Sequence, residues 1–390
     1  MKWSRILVFV GIFSASPLGA QQSYSASTAT AIAAKREIVI DGSSTVLDAV
    51  TWISAGPKGA LVVASGAERA MRFIDAAGGR VTTVGRSGEG PGEFRTLGPR
   101  GWNGDTLWVL DPALQRISSF TANGRFLGAR KAPFPLLPPP GTPDPSLFVL
   151  PELLGRSQDG ESFVRVSIRR GASIPQWAGT VPGGGRPILR VGADGQVKRM
   201  IGWSAPDQCV ATTTTAGGEF QVSQPFCMNE RPIIQEDGHA PVLARGMAEG
   251  AGQCAVQLTA LEPETGRGSV RRVTMPAIPI PARVADSARA AYLGRAPTPQ
   301  IADAMRKILE VPKAFPCVRT VIIGITGDLW LQPWGDDATS RWLLVSRGRP
   351  GIRALSLPRA FRGISANETG IIGVEADADG SESVVRYRVP

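Results

Sequence analysis

One short pattern recurs along this 390-residue chain and limits what it can fold into. The pattern is an apolar strand after a glycine turn, then a strand that carries an arginine, then another glycine turn. It is found at 58–80, at 104–125 and at 327–351, and in the second copy the apolar strand reads TLWVLD. Apolar and polar residues also alternate within single strands, as in 384–389. Alternation with a period of two indicates strands with one buried face, so the pattern predicts a chain rich in β-structure.

Six such units follow one another from residue 43 to the end of the chain. Their bounds are 43–93, 94–132, 147–203, 217–276, 317–358 and 361–390. Repeats of about 40–50 residues with four strands each are typical of a β-propeller. The last unit has only three strands, and the segment 36–41 can supply the fourth and so close the ring. We therefore expect an all-β, six-bladed β-propeller in one domain, residues 35–390, with 46 Gly and 32 Pro in its turns.

Two stretches interrupt the repeats. Residues 132–151 are rich in proline and are expected to form an extended connector. Residues 282–310 carry a helical pattern, in which Thr298 is a suitable N-cap, Pro299 suits the first turn, and apolar residues recur at helical spacing. We expect this helical insertion to pack on the outside of the ring. A lid over a ligand site and a partner surface are the alternatives.

The N-terminus has the three parts of a secretory signal peptide. Two basic residues are followed by an apolar run at 6–13 and by small residues at 14–20. We expect cleavage after Ala20 and a disordered leader over 21–34, because that segment is small and polar. No apolar run reaches the roughly 18 residues that a membrane span needs. The protein is therefore predicted to be exported, periplasmic or secreted, with no membrane span.

Four cysteines and a single histidine restrict the chemistry of the chain. No two cysteines form a C-x-x-C pair, which disfavours a zinc site. In an exported protein an even number of cysteines favours disulfides, and three pairings are open. We favour Cys209 with Cys227, across a Thr/Gly-rich loop, and Cys254 with Cys317, across the helical insertion. His239 is expected in an exposed turn and is the one candidate for histidine-based catalysis.

The segment GRSGEGPGEF at 85–94 follows a strand that ends in Phe73-Ile74-Asp75, with Gly78 after it. This arrangement resembles the linker between successive blades of bacterial six-bladed β-propeller proteins related to NHL repeats, which show G-R-x-G-x-G-P-G-E-F. The blade at 104–120, the helical insertion and the short last strands resemble that family too. The resemblance covers most of 36–390 and is weak between residues 155 and 275. It implies the fold, and it implies little about activity because such propellers bind many things.

Composition and motifs disfavour several classes of function. The formal net charge is +10, yet 36 of the 43 basic residues are arginines scattered beside acids, and no run of five like charges occurs. We therefore expect no nucleic-acid binding. The glycines at 88, 90 and 92 lack the helix and the lysine of a phosphate-binding loop. A serine hydrolase of the α/β type would need a G-x-S-x-G elbow, which the sequence does not contain.

A metal-dependent enzyme is the alternative to a binding protein. Six-bladed lactonases of the gluconolactonase type resemble this fold and hold calcium or zinc with Glu, Asn and Asp on central strands. The chain has four asparagines, Asn103, Asn123, Asn229 and Asn367, and they cannot be placed as such a set on three inner strands. A hydrolase or lactonase with a metal in the central channel stays the alternative, and no cofactor or metal is predicted.

The leading hypothesis is binding on one face of the ring. In a propeller, the connections between blades and the loops between second and third strands share one face. Charged residues of both signs in these loops suit a small polar ligand or a protein segment. The predicted contact residues are Arg69, Arg86, Glu89, Glu93, Asp111, Arg116, Asp336, Asp337 and Arg341. The alternative is that they pair within turns and with neighbouring blades.

Tryptophans raise the possibility of sugar stacking. Trp108 and Trp330 occupy matching places in apolar strands, so packing between blades is the better interpretation.

From all of these patterns together, we expect an exported, monomeric and non-catalytic protein that serves as a binding or interaction scaffold.

Overall fold

The structure is a computed structural model. It describes residues 21–390 apart from 43–46, 48, 76–78, 140–141, 143–145, 170, 174–176, 178–183, 216–217, 237, 240, 251, 263–267, 336–338, 348 and 368. The predicted signal peptide, residues 1–20, lies outside the described residues, and so do Asp336 and Asp337.

The described residues form strands throughout, with two α-helices and two short 3-10 turns. Three strands precede the repeats: β1 (Gln21–Ser25), β2 (Thr30–Ala31) and β3 (Lys35–Ile40). Blade one contains β4 (Val50–Ala55), β5 (Leu61–Ser65), β6 (Ala70–Ile74) and β7 (Val81–Val84). Blade two contains β8 (Arg100–Asn103), β9 (Thr106–Asp111), β10 (Arg116–Thr121) and β11 (Phe126–Lys131). Blade three contains β12 (Phe148–Arg156), β13 (Ser162–Ile168), β14 (Arg186–Val191) and β15 (Val197–Ser204).

A hairpin follows blade three and a helix pair follows blade four. The hairpin strands are β16 (Val210–Thr215) and β17 (Gly218–Ser223). Blade four contains β18 (Arg231–Ile233), β19 (Val242–Ala248), β20 (Gln253–Ala260) and β21 (Val270–Pro276), and then come α1 (Ala282–Leu293) and α2 (Pro299–Ile308). Blade five contains β22 (Val318–Ile323), β23 (Leu329–Pro333), β24 (Thr339–Val345) and β25 (Arg353–Pro358). Blade six contains β26 (Phe361–Asn367), β27 (Gly370–Ala376) and β28 (Glu382–Arg388).

These sheets make a six-bladed β-propeller, as the repeats predicted. Within each blade the strands pair in sequence order, and residues from the first strand of every blade line one central cavity. Apolar side chains on the sheet faces pack between neighbouring blades. Trp108 packs against blade three and Trp330 against blade six, and each is at most 2% exposed. The expectation that these tryptophans pack between blades is confirmed.

The ring is closed by β3, as expected from the missing strand of the last unit. β3 pairs antiparallel with β28, from Lys35 opposite Arg388 to Ile40 opposite Val384. A bulge at Val39 shifts the register, so Ile40 turns into the core between blades six and one while Ile38 stays 53% exposed. The closing strand therefore contributes both main-chain hydrogen bonds and one buried side chain.

The expected disordered leader over 21–34 is wrong, because this segment is paired with the outside of the ring. β1 runs parallel to β21, with Gln21 opposite Val270 and Ser25 opposite Thr274. β2 runs parallel to β25, with Thr30 opposite Arg353. The outermost strand of a blade offers free N–H and C=O groups, and main-chain pairing needs no apolar sequence in the added strand. A small, polar segment can therefore be ordered here, which composition alone does not reveal.

The fourth unit and the helical insertion need a correction. Blade four begins at Arg231 rather than at 217, because β16 and β17 pair only with each other. The apolar face of α2 packs on that hairpin, where Met305 and Leu309 contact Val222, rather than directly on the ring. The N-cap is confirmed, since Ile301 N donates to Thr298 Oγ1 at 3.3 Å. Of the helices described, none is long and apolar enough to cross a membrane.

Both predicted disulfide pairs are confirmed. Cys209 and Cys227 are bonded with their Cα atoms 5.4 Å apart, and they close the loop that carries the hairpin. Cys254 and Cys317 are bonded with their Cα atoms 5.8 Å apart, and they tie blade four to the start of blade five. The hairpin and the helix pair are thus each anchored by a covalent link at their base.

Closure by β3 is tested by two substitutions in one strand. Ile40→Asp places a charge in the core between blades six and one, and we expect it to lower the free energy of unfolding by about 3 kcal/mol. Ile38→Asp makes the same chemical change on the exposed side of the strand and should change stability by less than about 0.5 kcal/mol. Urea denaturation followed by circular dichroism measures both, and equal losses would contradict this closure.

Candidate functional site

Six of the predicted contact residues come together around the loop that joins blades one and two, at 84–100. Arg86 pairs with Glu93 at 2.6 Å, and Glu93 Oε2 accepts from Gly90 N at 2.8 Å. The Gly90 amide, and then the Arg86 guanidinium, hold the pKa of the Glu93 carboxyl below its usual value. Arg116 donates to the carbonyl oxygens of Glu89 and Glu93 at 2.6 Å. These side chains form hydrogen bonds with the backbone of the loop that contains the GEGPGEF sequence.

The other members of this group are also engaged locally. Arg69 Nη1 donates to Ser87 Oγ at 2.8 Å, and Glu89 pairs with Arg95. Asp111 is fully buried and accepts from Arg95 N at 2.7 Å and Thr96 Oγ1 at 2.9 Å, and also from the amides that follow it. Asp111 therefore stabilises a turn. Contact between a ligand and these six residues stays a prediction.

Arg341 does not join this group. It lies in β24 of blade five with an exposed side chain, and its expected neighbours Asp336 and Asp337 are outside the described residues. The predicted set is therefore divided between two blades rather than gathered at one point.

A central cavity with a volume of about 1000 Å³ lies between the blades. It is bounded by the first strands of all six blades, and its wall contains many aliphatic side chains. The apolar lining includes Leu153, Leu154, Ile233, Ile234, Val321, Ile323 and Ile364. Sequence analysis did not single out these residues, because alternation shows that a strand has an apolar face and not that six such faces meet at one axis.

We call residues 234–236 and 238–239 the septum, because they lie at the end of this cavity. It belongs to the loop between β18 and β19. The carbonyl oxygen of Glu236 accepts from Trp102 N in blade two, and Gln235 Nε2 donates to Gly324 O in blade five at 3.4 Å. Ile234 and Glu236 line the central cavity, while Gln235 and Gly238 line a second cavity on the other side. The septum therefore makes the central cavity blind at this end.

A partly buried ion pair fixes the septum to the ring. Arg100 Nη2 lies 2.8 Å from Glu236 Oε1, with side chains 22% and 16% exposed. Ser54 Oγ donates to Glu236 Oε2 at 2.5 Å, and in turn accepts from Trp102 Nε1 at 2.8 Å. The Arg100 guanidinium also lies over the Trp52 ring, 4.7 Å from its centroid. Both oxygens of Glu236 are occupied, so this carboxylate serves as an anchor.

The open end of the cavity lies on the face that carries the hairpin and the helix pair, which we call the insertion face. Trp334 stacks on Phe315 with centroids 4.2 Å apart, and Phe226 meets both rings edge-on. Phe226 has a φ of +52°, a left-handed conformation that is strained for a phenylalanine. It directly precedes the disulfide-bonded Cys227. Covalent and aromatic contacts together hold this strained residue at the rim.

Two arginines at this end have no acidic partner among the described residues. The Arg319 guanidinium lies 4.1 Å from the centroid of Trp334, and Arg231 begins β18. Both line the cavity. The remaining acid of the lining, Glu152, pairs with Arg165 at 2.6 Å. Neither guanidinium forms a salt bridge with a described acid, although Arg231 also borders a smaller cavity that Glu152, Asp207 and Glu230 line.

This geometry does not provide a set of metal ligands for the metal-dependent alternative. Within the described part of the chain, no three His, Cys, Asp or Glu side chains come together as metal ligands. His239 is exposed in the septum turn, as its sequence context predicted. The arginines and Glu236 of the cavity were missed by sequence reasoning, since their contacts cross the ring and leave no local pattern.

No protein-family model matches this chain, and no curated protein matches its sequence. Among solved structures, a Bacteroides fragilis protein described as exported is 10% identical over 95% of this chain and 100% of its own, with a TM-score of 0.46. Regucalcin of Agrobacterium tumefaciens, a calcium-binding protein, is 11% identical over 95% of this chain and 97% of its own, with a TM-score of 0.38. A streptogramin B lyase is 11% identical over 92% and 98%, with a TM-score of 0.37.

Similarity at this level carries no conclusion about function. The propeller fold rests on the sheets of the chain itself, and the resemblance to bacterial six-bladed propellers is confirmed at the level of the fold.

Asp111 provides a test of its structural role. Asp111→Ala leaves buried amide donors without an acceptor, so we expect the free energy of unfolding to fall by about 3 kcal/mol. Asp105→Ala removes an acid of the same blade that is 61% exposed and pairs with an exposed lysine, and it should cost less than about 1 kcal/mol. Thermal and urea unfolding measure both, and equal effects would show that Asp111 does not organise its turn.

The anchor of the septum is tested by a double-mutant cycle. Glu236→Gln leaves the partly buried Arg100 without its carboxylate partner, and we expect a loss of about 2 kcal/mol in the free energy of unfolding. Adding Arg100→Gln should restore part of that loss, because the unpaired charge is removed. Urea denaturation of the two single variants and the double variant measures the coupling. Additive losses would contradict a direct ion pair.

Proposed function

We propose that this chain is an exported binding protein that holds a small amphipathic anion in its central cavity. One observation carries the proposal: a blind cavity with many aliphatic side chains in its wall opens beside Arg231 and Arg319, and neither forms a salt bridge with a described acid. An anionic group would pair with these guanidinium groups. An apolar body would then occupy the space between them and the septum.

The size and the walls of the cavity support a small molecule. Its volume of about 1000 Å³ lies at the upper end of the range for small-molecule sites. Burying apolar surface against the aliphatic lining contributes about 25 cal/mol per Å². A protein partner would have to insert a segment into a closed-ended space, so a small ligand accounts better for the blind geometry.

The rim supports an anionic head group. A guanidinium offers a planar set of donors that matches a carboxylate, and such charge-assisted hydrogen bonds are stronger than neutral ones. The stack of Trp334 on Phe315 fixes one side of the Arg319 guanidinium, which limits its rotamers before a ligand arrives. Preorganisation of this kind lowers the entropic cost of binding.

The disulfides support export. Disulfides persist in oxidising compartments and are rare in reducing ones, and this chain has two, with no free cysteine among the described residues. The basic, apolar and small-residue segments of 1–20 agree with this location.

Decanoate and decanol are suitable probes, because they differ in the head group and share the chain. We expect decanoate to change tryptophan fluorescence saturably and decanol to bind more weakly. Arg319→Gln and Arg231→Gln should each weaken decanoate binding about tenfold, the cost of one charge-assisted hydrogen bond. Arg341→Gln removes an exposed arginine that lies in blade five, like Arg319, but outside the cavity. This variant should leave binding unchanged.

Absence of saturable binding, or equal affinities in all three variants, would contradict the proposal. Isothermal titration calorimetry on the same proteins gives the stoichiometry, which should be one ligand per chain.

A further inference from the structure

A second cavity lies on the far side of the septum, on the face opposite to the insertion face. Its volume is about 780 Å³, and it opens between blades three, four and five. Its lining contains many polar side chains beside apolar ones such as Val242 and Leu261. Amide, hydroxyl and imidazole groups are contributed by Gln22, Ser157, Gln158, Gln235, His239 and Ser269. A site of this composition suits a ligand with many hydrogen-bonding groups.

Three donor groups converge on Gly327 at the wall of this cavity. Arg271 Nη1 donates to Gly327 O at 2.9 Å. A Cβ atom placed on Gly327 would lie 3.6 Å from Nη1 of Arg347 and 3.5 Å from Nε2 of Gln235. Gly327 has a φ of +80°, a left-handed conformation that glycine adopts without strain. The bare backbone at this position lets two guanidinium groups and one amide approach the same point.

Asp328 is the acid next to this point, and its oxygens accept from neutral donors. Oδ2 accepts from Thr326 Oγ1 at 2.9 Å, and Oδ1 accepts from the backbone N of Arg347 at 2.8 Å. Burial lowers the pKa of Arg271 and Arg347 adds to that effect, while Tyr24 and Asp328 oppose it. Arg190 of the same cavity is paired with Asp159 and Glu161. Arg271 and Arg347 therefore lie together at Gly327, and neither forms a salt bridge with a described acid.

We propose that this cavity is a second binding site, which takes a small anion carried on a hydroxylated body, such as a sugar acid or a sugar phosphate. Arg271 and Arg347 would hold the carboxylate or phosphate, because guanidinium groups match both in geometry. The amide and hydroxyl groups of the lining would hold the hydroxyls of the sugar. Gln235, only 8% exposed, belongs to the septum and would contact the ligand from that side.

Calorimetric titration of the full exported chain with glucuronate, glucose 6-phosphate and glucose tests this site. We expect at least one of the two acids to bind and glucose to bind at least about tenfold more weakly, since it lacks the anionic group. Binding of one acid alone supports the proposal and identifies the anionic group. Failure of both acids to bind, or equal binding of glucose, would overturn it.

Variants locate the binding. Arg271→Gln and Arg347→Gln should each weaken the binding of the acid about tenfold. Arg347 is exposed, so Arg347→Gln is expected to fold normally even if the half-buried Arg271 does not tolerate change. Arg80→Gln changes an exposed arginine of blade one and should have no effect. Arg319→Gln should also have no effect, because it acts on the central cavity. Unchanged affinity in Arg347→Gln, or a loss in Arg319→Gln, would overturn the assignment.

Discussion

Main-chain pairing between β3 and β28 holds the ring shut, and the other features of the protein depend on it. A propeller blade packs its apolar faces only against its two neighbours, so an open ring would expose one face of blade six and one of blade one. The strand that prevents this comes from the opposite end of the chain. Ile40 adds a buried side chain to the closure, because a bulge at Val39 turns it inwards. The cavity at the axis exists only while this contact holds.

The same edge pairing continues on the outside of the ring. β1 and β2 lie on the outer strands of blades four and five before β3 enters blade six. The N-terminal segment therefore covers three consecutive edges, and it does so with polar residues, since hydrogen bonds between backbones do not depend on side chains. Gln22 in β1 also lines the cavity on the face opposite to the insertion face, so this segment both protects edges and contributes to a candidate site.

The septum separates two cavities near the axis, and each is lined by different residues. Trp334 and Arg319 line one cavity, and the pair Arg271 and Arg347 lines the other. The Arg100–Glu236 ion pair at the junction is internally neutral and hydrogen-bonded to Ser54, which offsets the cost of placing charges partly away from water. This ion pair therefore helps to keep the two cavities apart.

The sequence by itself determined the number of blades, the closing strand, the presence of disulfides and the Thr298 helix cap. Each of these follows from a local signal: strand periodicity, glycine turns, cysteine parity and capping chemistry. The sequence also singled out the charged residues of the loop at 84–100. In the structure these residues form ion pairs and hydrogen bonds that stabilise that loop.

The tertiary structure alone decided the order in 21–34, the packing of α2 on the hairpin, and the residues of both cavities. These depend on contacts between segments far apart in the chain. Arg100 meets Glu236, and Arg271 meets Gly327, only because the ring brings their blades together. Such contacts leave no periodicity in the sequence, since the partners are chosen by the curvature of the whole ring rather than by their neighbours in the chain.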